Sequence, residues 1–418
     1  MIDSVQGYQK VIVELCISLI IVSCITCFSG CMDRTDNSDE QNITIGIILP
    51  LSGDLSDFGQ NCLNPALLAV EEINQNGGIV SKGGKKLEII IADSKGVPEI
   101  GANETKRLIT EEKALALIGA YQSSVTIAAT QVAETYNVPF IVNTGISDVI
   151  IDRGFQCTFR ISPDVETYSS SKVQFLDYLR QFSKKPINRV ALLYENTAYG
   201  TASAFSERDL LKKAGYEVVS DISYAADKVT SLHDEVNGTL HAEPDAIFIT
   251  TYLKDAILIQ RELSNAGFSG PVIDTAGGTI SEGFIHELGG AANGIFSVSE
   301  FSKHTSYGVA LNERYRTQFG TDITGDGAYT YQAVIVLKDA LERAESLDTE
   351  SIKKAINQTN IISREMIFLP DDVIAFDSDG QNSYEKLSMM QIQNGTWITV
   401  WPARYAGGEV ILPKLIQN

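Results

Sequence analysis

The chain has 418 residues, 44% of them hydrophobic, 21% charged and 8% aromatic, which is enough apolar material for a large core and excludes disordered and collagen-like chains. Its 33 Lys and Arg against 53 Asp and Glu leave a formal charge of −20 with no basic block, so a polyphosphate backbone is repelled and nucleic acid is excluded as a partner. Four histidines, at positions 233, 241, 286 and 304, are too few and too scattered for a zinc site or a catalytic triad.

Residues 15–28 are apolar or small apart from Ser and Thr, about the length of a signal-peptide core and short of the roughly 20 residues that span a bilayer. The run Phe28-Ser29-Gly30-Cys31 that follows resembles the lipobox of prokaryotic lipoproteins, in which the Cys thiol receives the lipid. Residues 1–30 then read as a signal peptide, Cys31 as the lipidation site and 31–42, rich in Asp, Asn and Ser, as a lipid-anchored tether. An uncleaved amino-terminal anchor is the other reading, kept open by Glu14 beside the apolar run and by a start with only Lys10 against Asp3. Both readings place the body outside the cytoplasmic membrane, on its outer face. Loss of residues 1–30 changes the charge only from −20 to −19. Of the six Cys, Cys62 and Cys157 alone fall in the folded body; they are either a disulfide or two separate buried thiols.

Beyond residue 42, short β-branched runs alternate with longer helical patterns, the signature of parallel βα units. The run 43–49 (ITIGIIL) is a fully buried strand. A helix over 61–76 follows, with Leu63, Leu67, Val70 and Ile73 on one face and Gly77-Gly78 at its end. Strands at 87–92, 116–119 and 139–142 alternate with helices at 98–112 and 124–136, giving a doubly wound layer of four strands. A second layer starts after Ser162-Pro163: helix 165–182, strand 190–194, helix 202–214, strand 217–222, a helix carrying Val229, Leu232, Val236 and Leu240, strand 246–250, helix 256–266, and strands 271–274 and 294–298. Helices at 307–319, 328–345 and 349–359 are too short of strands to make a third lobe and pack back on the first.

The expected fold is therefore α/β: two doubly wound parallel-sheet lobes, 43–161 with 300–367 and 162–299 with 368–418, joined by a three-crossing hinge with the cleft between them. Two rigid lobes on extended crossings close around a ligand by hinge rotation. In open parallel sheets the site lies outside the carboxyl ends of the strands, so the strand-to-helix loops carry the information. After the first strand, Phe58 either walls a pocket or fills the core. After the third, Tyr121 precedes Ser123 and Ser124, whose hydroxyls at a helix start suit a carboxylate or simply cap the helix. Thr144, Ile146 and Ser147 lie in the loop after the fourth strand, and Tyr199 and Tyr252 hold the equivalent loops of the second lobe.

Catalytic motifs are absent: there is no Gly-x-Ser-x-Gly elbow, Walker loop, Gly-x-Gly-x-x-Gly or His-Glu-x-x-His. Asp377-Ser378-Asp379-Gly380 opens like a calcium loop without its full spacing and reads as a tight turn.

In order along the chain, Leu49-Pro50-Leu51-Ser52-Gly53, Phe58-Gly59-Gln60, Glu71-Glu72-Ile73-Asn74, Ile118-Gly119, Val138-Pro139, Phe159-Arg160, Tyr199-Gly200, Tyr331-Gln332-Ala333-Val334 and Gly395-Thr396-Trp397 resemble the branched-chain amino-acid-binding proteins of ABC transporters. The resemblance covers roughly residue 43 to the end. It implies a class I periplasmic-binding fold, capture of a small-molecule solute, delivery to an ABC permease, a monomer, and neither a cofactor nor catalysis. It also implies roles. Ser123 matches the hydroxyl that holds the ligand carboxylate and Thr144 the loop carbonyl that accepts from the ligand ammonium. The family's next Thr falls on Ile146, with Ser147 beside it as a substitute. Phe58, Tyr199 and Tyr252 match pocket walls, and the acidic partner of the ammonium falls near Gly277, with Asp274 the nearest carboxylate. The expected function is an extracytoplasmic solute-binding lipoprotein of an ABC importer, taking a branched-chain or other amino acid, an amide or a similar small solute. A ligand-sensing protein of a signalling system on the same fold is the alternative.

Overall fold

The computed structural model describes residues 42–414; Cys31 and the signal segment 1–30 lie outside them. Among the described residues no helix is long and apolar enough to cross a membrane.

The first sheet has β1 (Ile43–Leu49), β2 (Leu87–Asp93), β3 (Ala116–Gly119), β4 (Phe140–Val142) and β5 (Thr158–Arg160), in the order β2-β1-β3-β4-β5 and parallel throughout. Both faces are covered by helices, which is why β1 is buried nearly end to end and reads as a continuous apolar run. The connecting helices are α1 (Ser56–Gln75), α2 (Pro98–Thr110) and α3 (Ser123–Thr135). β5, with only three residues, is the strand that the four-strand reading left out; its Thr-Phe-Arg carries no apolar run.

The second unit begins at α4 (Val165–Phe182) and contains β6 (Arg189–Glu195), α5 (Ala198–Lys213), β7 (Glu217–Tyr224), α6 (His233–His241), β8 (Ala246–Thr250), α7 (Leu253–Asn265), β9 (Val272–Asp274), α8 (Glu282–Leu288) and β10 (Phe296–Ser299). The chain then returns through α9 (Ser306–Phe319), α10 (Gly325–Arg343) and α11 (Thr349–Asn357). Buried side chains of α9, α10 and α11 join the apolar core of β1 and α1, as the shortage of strands there leads one to expect. A short antiparallel pair, β11 (Asn360–Ile361) with β12 (Ile374–Ala375), stays on that core through Ile374.

The last two strands, β13 (Ser388–Gln393) and β14 (Thr396–Trp401), correct the all-parallel reading of the second sheet. They add antiparallel to β10, so the order is β14-β13-β10-β9-β8-β6-β7 and the sheet is mixed. β13 is Ser-Met-Met-Gln-Ile-Gln, poor in β-branched residues, and β10 recruits it by pairing.

Three extended passages join the two sheets: after β5, after β10, and between β12 and β13. The first and the third are tied to each other. Arg160 N–H donates to Gly380 O at 2.8 Å and Asn382 N–H to Arg160 O at 2.9 Å, while Gln381 Nε2 donates to Ser162 O at 2.9 Å. The Asp377 turn is closed by its own carboxylate, which accepts from Asp379 N at 2.9 Å and Gln381 N at 3.0 Å.

Candidate functional site

The strand orders place a switch point in each sheet. In the first, β1 is flanked by β2 and β3; in the second, β6 is flanked by β7 and β8. Chains leave such points in opposite directions and open a crevice at the carboxyl ends of the strands. The loops after β3, β6 and β8 carry Tyr121, Thr197 and Tyr252, and a narrow cavity of about 30 Å³ lies where the two crevices meet.

Seven of the residues singled out from the sequence line it: Tyr121, Ser123, Thr144, Ile146, Tyr199, Tyr252 and Gly277. Ser123 is the first residue of α3, a helix whose N-cap, Gln122, makes no side-chain capping bond. The N–H groups of the first turn therefore keep their capacity for an acceptor, and the helix end is positive. Ser123 Oγ accepts from Ser147 N at 3.3 Å, and Thr144 Oγ1 donates to Tyr121 O at 3.2 Å, so the two lobe-one loops brace each other. Tyr121 and Ala276, one from each lobe, are cavity-lining residues with left-handed backbone, φ 70° and 54°. That conformation is disfavoured for residues bearing a Cβ and gathers at binding sites.

Tyr199 and Tyr252 form the second-lobe wall, ring centroids 5.6 Å apart. Tyr199 sits in the first turn of α5, which starts four residues before the expected 202 because Thr197 caps it. Its hydroxyl donates to Thr275 O at 2.5 Å. Burial pushes the phenols of Tyr121, Tyr199 and Tyr252 well above their ordinary range, so all three are neutral donors.

Four sequence candidates lie elsewhere. Phe58 is buried against Tyr121, centroids 5.4 Å apart and nearly parallel, and supports that wall from behind. Ser124 is the next helical residue after Ser123, on another face of α3. Ser147 reaches the cavity only through the N–H it gives Ser123. Asp274 is turned into its own loop: its carboxylate accepts from Thr279 Oγ1 at 2.7 Å and from Gly277 N and Thr279 N, each at 3.2 Å. Gly277 itself has no room for a side chain, since a Cβ there would lie 2.1 Å from Thr251 O and 2.9 Å from the Tyr199 hydroxyl.

Sequence reasoning missed Tyr168, Thr275, Glu300 and Asp326, which also line the cavity. Glu300 follows the carboxyl end of β10, a position the strand-end rule would have flagged; Tyr168 and Asp326 sit in first turns of helices beyond the crossings. Burial pushes Glu300 up to about 7, while the Tyr168 hydroxyl opposes the shift. Asp326 is pushed well above the carboxylate range by burial and then by Glu300.

Burial also pushes Asp255 and Glu385 up to about 7. A carboxyl whose folded pKa exceeds its unfolded value holds a proton that the unfolded chain gives up, so its contribution is complete below about pH 4 and is lost as pH rises toward 7. The melting temperature of the protein without solute is therefore expected to fall between pH 4.5 and 7.5 in calorimetric scans; a flat or rising profile would contradict these shifts.

Cys62 and Cys157 are both buried and unpaired. Among the described residues no group of three or more His, Cys, Asp or Glu is arranged to hold a metal ion.

A model of the periplasmic binding protein family matches residues 42–396. "Leu/Ile/Val-binding protein homolog 7" of Brucella suis is 28% identical over 387 residues, 89% of this chain and 94% of that protein. Among solved structures, a leucine-binding protein of Thermotoga maritima aligns with a TM-score of 0.75 at 22% identity, covering 85% of this chain and 97% of that one. A branched-chain amino acid transporter substrate-binding protein of Streptococcus pneumoniae, solved with isoleucine, aligns with a TM-score of 0.75 at 24% identity over 85% and 98%. With its two α/β lobes facing one cleft and the family model spanning most of its length, this chain belongs to the periplasmic binding proteins, a family that binds solutes and does not transform them.

Proposed function

We propose that this protein is the extracytoplasmic solute-binding component of an ABC importer, that it captures an amino-acid-type solute by closure of its two lobes, and that lipid on Cys31 anchors it as a monomer to the outer face of the membrane. The observation that carries the reading is the meeting of three features in one buried cavity: the uncapped start of α3 with Ser123, the Thr144 loop, and the Tyr199–Tyr252 wall from the opposite lobe. The first suits a carboxylate, the second offers carbonyls and a hydroxyl oxygen, and the third supplies apolar surface with the neutral Tyr252 phenol. The Brucella relative named for leucine, isoleucine and valine, and the Streptococcus protein solved with isoleucine, support the amino-acid class.

A thermal-shift screen of amino acids, amides and small carboxylates, followed by calorimetry, tests it. Stabilisation by an amino acid supports the reading, and stabilisation by amides or acids alone rejects it. Ser123→Ala is expected to weaken an amino acid by about 1–3 kcal/mol, the loss of a buried hydroxyl partner; an unchanged Kd removes Ser123 from the site. Labelling with radioactive lipid precursor, lost in Cys31→Ser, tests the anchor.

A further inference from the structure

One end of the cavity is charged in a way that the carboxylate site does not explain. Glu300 and Asp326 both line it, each under 5% exposed. Asp326 Oδ2 has no hydrogen-bond partner, and among its described neighbours Glu300 receives one hydroxyl, from Tyr168. The two approach closely because Gly325 separates them: a Cβ at Gly325 would lie 2.2 Å from Glu300 Oε2. The titratable groups facing them are Cys62 from α1, Tyr121 from the β3–α3 loop, Tyr168 from α4, Tyr199 from α5, Asp274 from β9 and Tyr329 from α10. None is basic, and none of the cavity-lining residues is Lys, Arg or His. The buried cation nearest in kind, Lys172, is committed to Glu207 at 2.7 Å. Burying a carboxyl group without a donor is expensive, and here two acids are buried at one end of the cavity, with one oxygen left without a hydrogen-bond partner. Meanwhile the second-lobe loop has no acid to offer a ligand, because Gly277 admits no side chain and Asp274 is consumed by its own loop.

We propose that Glu300 and Asp326 together receive the cationic group of the solute, an alkylammonium or a guanidinium, and make the cleft selective for amine-bearing solutes. The inference rests on the amino-acid-capture reading for the other end of the ligand. The cation has two possible sources, the α-ammonium of any amino acid or the side chain of a basic one.

Isothermal titration of the full chain in detergent separates these, with leucine, lysine, arginine, 4-methylpentanoate (leucine's skeleton without its amine) and 1,5-diaminopentane (lysine's without its carboxylate). Amine-bearing amino acids are expected to bind, and Asp326→Asn and Glu300→Gln each to weaken them about ten- to 100-fold, while 4-methylpentanoate binds at least about 100-fold more weakly than leucine. Tighter binding of lysine or arginine than leucine assigns the cation to the side chain; the reverse order assigns it to the α-ammonium. Both variants are expected to melt at or above the parent temperature, because an amide in place of either acid removes the mutual repulsion and desolvation cost of two buried acids; Asp326→Ser provides a second neutral replacement. Amino acid binding unchanged in both variants overturns the role of the pair and leaves amino-acid capture standing. Diaminopentane bound in a Glu300- and Asp326-dependent way, with no amino acid bound, supports the pair and overturns amino-acid capture. Failure of every solute to bind overturns both.

Discussion

Replacing Lys172 by Met is expected to destabilise the protein by about 3–5 kcal/mol, because it strands a buried carboxylate. Lys172 and Glu207 are both fully enclosed in the second lobe, Nζ lying 2.7 Å from Glu207 Oε1, 2.8 Å from Thr275 Oγ1 and 3.2 Å from Ile249 O, with the ammonium 4.6 Å over the Phe248 ring. Burial pulls Lys172 down and pushes Glu207 up, and their mutual contact opposes both shifts. Three directed acceptors for three ammonium protons favour the ion pair. For a unit of this size the loss corresponds to a melting temperature lower by about 4–6 °C, measurable by circular dichroism. Adding Glu207→Leu to Lys172→Met should recover much of it, since the cost lies in the orphaned charge rather than in a strong net attraction. A single variant that melts with the parent would show that Glu207 is neutral there. The network also has a functional side: Thr275 lines the cavity and holds the Tyr199 hydroxyl through its carbonyl, so the single variant should weaken solute binding as well.

Arg160→Met is the second large effect. Arg160 is 1% exposed, and its guanidinium donates to Ile146 O at 2.7 Å, Ser147 O at 3.0 Å and Gly145 O at 3.4 Å, and to Gln381 Oε1 at 2.5 Å. One side chain thus fixes the Thr144–Ser147 cleft loop and fastens the first hinge passage to the third. Removing it leaves the Gly145 and Ile146 carbonyls and Gln381 Oε1 without this donor, while Ser147 O keeps the Ile150 N–H, at about 1–3 kcal/mol for each buried acceptor that water cannot reach, so a total of about 3–5 kcal/mol is expected. Solute affinity should fall by about ten-fold or more as the loop relaxes. Arg160→Lys keeps the charge but not the planar fork, and is expected to recover part of the stability and little of the affinity. If calorimetry finds solute affinity intact in Arg160→Met, the loop is held by other contacts.

The layered fold was readable because its signal is local. β1, β3 and β8 are buried on both faces, so each is a nearly continuous apolar run without polar alternation, and Gly77-Gly78 punctuates α1 visibly. The site was readable where the strand-end rule applied: Tyr121, Ser123, Thr144, Tyr199 and Tyr252 all follow strands. β13 and β14 escaped because their antiparallel addition depends on β10 offering an edge, a property of the sheet rather than of the segment. Asp274 misled for a related reason. Its proximity in sequence to the ammonium position says nothing of the direction of its side chain, which Thr279 and two backbone N–H groups turn inward.

Composition and periodicity by themselves determined that this chain makes two α/β lobes with a cleft at the carboxyl ends of their strands, since hydrophobic pattern and chain direction are encoded residue by residue. Only the tertiary structure decided what charge fills that cleft. Glu300 and Asp326 are 26 positions apart, with helix α9 between them, and they become neighbours only when the second crossing returns the chain to the first lobe and Gly325 lets them approach. Whether a carboxylate is a solvated surface charge or a buried, unpartnered one depends on what surrounds it in space, and in a chain with 53 acidic residues the sequence does not distinguish the two from the rest.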